Sequence, residues 1–102
     1  MYHKKDMSYD SQIRDLKKRR TEYKKTIEEI DKAIELYCNA QEELAKSVGV
    51  KKCEELSKKV DEKIEDLKSL RKELQGKIDI CDRRISSLQS AKENEAKEKA
   101  KA

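Results

Sequence analysis

Large apolar or aromatic residues recur every seven positions from Tyr9: Tyr9, Leu16, Tyr23, Ile30, Tyr37 and Leu44. A second series follows four residues after each of these: Ile13, Arg20, Ile27, Ile34, Gln41 and Val48. Together they make an unbroken 4-3 alternation, with the second series at heptad position a and the first at d. The second half repeats it, with Cys53, Val60, Leu67, Leu74, Cys81 and Leu88 at d and Ser57, Ile64, Arg71, Ile78, Ile85 and Lys92 at a. A disordered chain has no reason to hold such a register, so the pattern predicts helices. Between the halves lies Ser47-Val48-Gly49-Val50, and Gly49 suits the left-handed position just past a helix C-terminus. Gly76 falls at an outward f position, where it costs about 1 kcal/mol relative to Ala without ending a helix.

The two registers agree with each other. If the chain folds back at Gly49, facing a residues have numbers that sum to 98: Ile13 with Ile85, Arg20 with Ile78, Ile27 with Arg71, Ile34 with Ile64 and Gln41 with Ser57. Facing d residues sum to 97, from Tyr9 with Leu88 to Leu44 with Cys53. Both seams close on one short turn without a slip. The predicted fold is all-α, an antiparallel two-helix coiled-coil hairpin. Its helices span about 9–47 and 51–92, with arms of roughly 60 Å at about 1.5 Å per residue. Residues 1–8 form an N-terminal tail in which Met7 is an alternative start, 9–92 the hairpin domain, and 93–102 a low-complexity charged C-terminal tail.

Composition narrows the functional classes. In 102 residues, 47% are charged, 34% hydrophobic and 4% aromatic, with two Gly and no Pro, Trp or Phe. That is too little apolar bulk for a compact globular core and too few turn residues for a sandwich or doubly wound fold. No apolar run has the length of a membrane span and no signal peptide is visible, so a cytoplasmic protein with no membrane partner is expected.

A two-helix seam is one layer thick and marginal by itself, so the apolar residues it does not use matter. These are Ala33, Leu36, Ala40 and Ala45 with Cys38 on the first helix, and Leu56, Leu70 and Ile80 on the second. Ala33 and Ala40 share position g, as do Leu56 and Leu70. Two readings follow: a slightly broad core stripe, or a docking face for another helical chain, either a self-dimer or a partner's hairpin. The expected partner-binding set is Ala33, Leu36, Ala40, Leu56, Leu70 and Ile80. Charge adds a polarity. Residues 1–25 with 76–102 carry a net +7, and residues 26–75 carry −3, a gradient able to orient a partner or an antiparallel dimer.

Other chemistry is weaker. Cys53 and Cys81 lie 28 residues apart on one helix, about 42 Å, and Cys38 sits more than a turn from Cys53, so neither a zinc site nor an internal disulfide is expected. Cys53 and Cys81 read as small core hydrophobes, and three unpaired thiols fit a reducing compartment. Lys17-Lys18-Arg19-Arg20 is a basic run, with Lys77 and Arg83-Arg84 opposite it in the hairpin. The interleaved acids, a net charge of only +4, and the seam positions of Tyr9, Tyr23 and Tyr37 argue against nucleic acid. One His, in the N-terminal tail, no Gly-rich loop and no concave surface argue against an enzyme, and no cofactor or metal is expected.

A hairpin of this length with a Gly-containing central turn resembles the WXG-type small helical hairpins of type VII secretion, with Ser47-Val48-Gly49 standing where their W-x-G turn would stand. The opening Met7-Ser8-Tyr9-Asp10-Ser11-Gln12-Ile13, followed by charged heptads, is similar to the YwqH-like family, small proteins of Gram-positive bacteria encoded beside LXG-domain toxins. The resemblance implies a cytosolic targeting factor or chaperone that packs against the helical N-terminal region of an LXG toxin, together with a second small helical protein. The chain departs from those families in lacking the Trp, any F-x-x-x-D element and a C-terminal Y-x-x-x-[DE] signal. Tyr2-His3-Lys4-Lys5-Asp6 fits the last pattern at the opposite end. The resemblance therefore implies the binding and shielding partner, not the carrier of the export signal. The alternative from a different class is a structural, self-associating coiled coil without cargo.

Overall fold

The computed structural model of the protein describes residues 8–46 and 51–101. The expected turn at Gly49, the Ser47 end of the first helix, Val48 and the 1–7 part of the N-terminal tail lie outside the described residues. Two helices, α1 (Tyr9–Ala45) and α2 (Lys51–Lys101), account for nearly all the rest, with no strand among the described residues. The fold is an all-α helical hairpin.

Ser8 starts α1. Its hydroxyl accepts a hydrogen bond from the Ser11 backbone N–H at 3.2 Å, and its carbonyl accepts from Gln12 N–H at 3.1 Å. That is the N-cap arrangement, which satisfies an orphan donor of the first turn. At the other end, Lys46 N–H donates to the Glu43 carbonyl at 3.2 Å, tightening the last turn to i→i+3 pairing. α2 runs nine residues past the expected end at 92. Residues 93–101 are mostly Ala, Glu and Lys, with no Pro or Gly, so propensity alone favours helix there. The Lys99–Glu95 pair at 3.5 Å adds an i,i+4 contact.

The helices form two compact units. The central unit is Lys25–Gln75. Its buried residues are Ile27, Ile30, Ile64 and Leu74, all at a or d. Gln41 Nε2 donates to the Ser57 carbonyl at 3.3 Å, so these two polar a residues meet as their residue numbers require. The terminal unit comprises the described parts of Met1–Lys24 and Gly76–Ala102. Its buried residues are Ile13, Ile78, Cys81 and Ile85, again all at a or d. Tyr23 is half-buried there, with Lys77 Nζ 5.9 Å from its ring centroid.

Throughout α1, every a and d position from Tyr9 to Leu44 is at least half-buried. On α2 the same holds from Cys53 to Leu88 with one exception, Arg71. The most enclosed side chain, Ile78, still keeps 3% of its surface exposed, as a seam one layer deep requires.

Candidate partner-docking surface

The polar residues at a define one edge of the seam. In the terminal unit, Arg20 Nη1 donates to Asp82 Oδ1 at 2.7 Å and Lys92 Nζ to Asp10 Oδ1 at 2.6 Å. In the central unit, Arg71 Nε donates to Asp31 Oδ1 at 2.7 Å, and Gln41 Nε2 donates to Asp61 Oδ1 as well as to Ser57. Each pair joins an a residue to an aspartate at e on the other helix, and each pair of residue numbers sums to 102. That is one helical turn beyond the facing a layer, so the long polar side chains leave the seam and reach sideways. All four carboxylates therefore lie on the e edge. The Lys92 ammonium holds the Asp10 carboxyl below the usual aspartate range, and Asp31 raises Arg71 above its ordinary value. These pairs are solvent-exposed and worth little individually.

The large apolar residues outside the seam lie on the opposite flank, whereas Cys38 and Ala45 fall at e. Positions e and g border a coiled-coil seam on opposite sides, and c lies beside g because the two are four residues apart. In the central unit, Leu56 and Leu70 occupy g and Leu36 occupies c. Their exposures are 49%, 43% and 69%. Ala40, at g, is exposed, whereas Ala33, at g, is half-buried and broadens the seam. Charged residues surround this patch: Glu29, Glu43, Asp66 and Glu73 with Lys59 at c, and Lys63 at g between the two leucines, all exposed.

Ile80, at c and 49% exposed, belongs to the terminal unit. It lines a cavity of about 200 Å³ with Leu16, Arg19, Tyr23, Lys77, Cys81 and Arg84. A neighbouring cavity of about 440 Å³ shares Leu16, Arg19 and Arg84 and adds Leu88, Gln12, Asp15 and Ser87. Together they form a groove with an apolar floor of Leu16 and Leu88. Its rim carries Arg19, Lys77 and Arg84 at g. Among the described residues, neither Arg19 nor Arg84 makes an ion pair, in contrast to the a-position cations Arg20, Arg71 and Lys92, each of which has its aspartate. Sequence reasoning placed Lys77 and Arg84 opposite the basic run but did not see that they rim an apolar floor. The shared g position of Arg19, Lys77 and Arg84 was the available signal.

The cysteines are unpaired: Cys38 is exposed, Cys53 half-buried and Cys81 buried. Among the described residues no cluster of three or more His, Cys, Asp or Glu side chains gathers as a metal site would need, and no helix is long and apolar enough to cross a membrane. Compared with protein-family models, with curated proteins and with solved structures, the chain matches none.

Proposed function

We propose that the protein is a non-catalytic helical-hairpin adaptor that binds another helical protein through the g and c flank of its central unit. The observation that carries this reading is the exposure of Leu36, Leu56 and Leu70 beside a seam whose a and d positions are already occupied. Large apolar side chains grouped on one flank and rimmed by charge fit a helix-in-groove contact, in which a partner's i, i+3, i+4 and i+7 residues cover them. Stability supports the same reading, since a one-layer seam gains most from a third helix.

The most concrete partner is the helical N-terminal region of an LXG-type toxin of type VII secretion, for which the hairpin serves as targeting factor or chaperone in the cytoplasm of a Gram-positive bacterium. The support is the resemblance carried by Met7–Ile13 and the Ser47-Val48-Gly49 layout, together with the hairpin fold. Co-expression with the N-terminal region of an LXG toxin encoded beside this chain tests it. A complex that survives size exclusion is expected, and two components eluting separately would contradict the assignment. The second reading, a self-associating coiled coil without cargo, draws on the same exposed leucines and predicts a stable, cooperatively melting homo-oligomer with no captured protein.

A further inference from the structure

We propose that the groove of the terminal unit binds the 26–45 stretch of α1 from a second copy of this chain, with Leu36 on the Leu16 and Leu88 floor and Glu29 and Glu43 facing Arg19, Lys77 and Arg84. This goes beyond the adaptor reading: it shares the exposed Leu36 with it and adds the groove and its rim charges. The groove asks for a particular occupant. Its floor is apolar, and its lining carries three cations against a single carboxylate, Asp15. Arg19 and Arg84 lack the aspartate partners that the a-position cations Arg20, Arg71 and Lys92 have. An acidic amphipathic helix satisfies both features, burying apolar side chains on the floor while its carboxylates meet the rim.

The chain itself contains such a helix. From Thr26 to Ala45 it carries six acidic residues and one basic residue, the strongest charge imbalance of any segment its length within the helices. Leu36, the most exposed large apolar residue described, lies on its c row. Glu29 and Glu43 precede and follow it by one heptad, about 10.5 Å along the axis on either side. An acid, an apolar anchor and an acid thus stand in line. Lys77 and Arg84 are one heptad apart on α2, half the two-heptad separation of Glu29 and Glu43, a difference for the long, exposed rim side chains to span. Glu43 already has an exposed i,i+3 contact with Lys46 at 3.1 Å, which is weak enough to exchange. Because Leu36 also belongs to the proposed partner face, a second copy and a heterologous helix compete for it.

Charge exchange between copies tests the pairing. Sedimentation equilibrium of the wild-type chain at low ionic strength is expected to show self-association that weakens as salt is raised, since the rim charges are exposed. Arg19→Glu with Arg84→Glu, and separately Glu29→Lys with Glu43→Lys, are each expected to weaken it by about tenfold or more. An equimolar mixture of the two variants is expected to restore association between unlike copies. All four positions are exposed, so helical content should stay at the wild-type value, and circular dichroism verifies this. Leu36→Ser tests the floor contact without altering charge and should also weaken association. A wild-type chain that stays monomeric, a variant that associates undiminished, or a mixture that stays apart would overturn the proposal. Capture of a heterologous helical protein by the Arg19→Glu, Arg84→Glu variant reports on the adaptor reading alone, so the two fail separately.

Discussion

Arg20, Gln41, Arg71 and Lys92 occupy positions where an apolar side chain would stabilise the seam more, and each is matched by an aspartate on the other helix. Their physical role is register. A slip of one heptad would set Asp10 against Ile85 in the terminal unit and Asp31 against Ile64 in the central unit, losing the pairs. Polar a residues are known to trade stability for register and oligomer state. Arg20→Leu is therefore expected to raise the thermal midpoint while admitting additional oligomers, visible together as a higher melting temperature and a heterogeneous mass by light scattering. A homogeneous, less stable variant would count against this role. Gly76 gives a simpler expectation. A Cβ built there meets nothing within 4 Å, so Gly76→Ala should stabilise the chain by about 1 kcal/mol, read as a rise of several degrees in melting temperature. The burial of the a and d residues was legible in the sequence because hydrophobic periodicity encodes it directly. The aspartate partners were not, because a heptad reading says which face a side chain starts from and not how far Arg or Lys reaches.

For the helices, the seam and the ends obey different physics. Ile78, 3% exposed, belongs to a core with no second layer to relax around a cavity. Ile78→Ala is expected to cost about 2–4 kcal/mol, enough in so thin a core to abolish a cooperative melt followed by circular dichroism. Near the open end of the terminal unit the two helices are bridged by the exposed Lys92–Asp10 pair. Because Asp10 titrates below its ordinary range when folded, its contribution is fully present above that range and is lost as pH falls through the depressed value. Amide exchange around Asp10 should accelerate at acid pH, and Asp10→Asn should remove that dependence; an unchanged acid dependence would contradict the pair's role. The start and course of both helices could be read from heptads. The continuation of α2 to Lys101 could not, because it rests on Ala, Glu and Lys propensity without any core periodicity to mark it. Ser8 was readable in principle, as a Ser directly before the first heptad residue.

On the scale of the molecule, the sequence carries two kinds of surplus. Surplus polar groups at a are spent on the e edge, where they find aspartates. Large surplus apolar groups collect at g and c, where in the central unit Leu36, Leu56 and Leu70 find no cover within the described residues. The leucines were legible as candidates because they fall outside the a and d series, and Ala33, at g, is half-buried beside the seam because its methyl is short. The groove with Arg19 and Arg84 was not legible, since it needs both helices in place before its floor exists. The g and c flank is proposed as an interface for another helix. Its most direct test is co-purification from the native cell, comparing the wild-type chain with a Leu36→Glu, Leu56→Glu, Leu70→Glu variant whose helical content is checked by circular dichroism. A helical protein captured by the wild type and lost from an equally helical variant is expected; undiminished capture by that variant would rule the interface out.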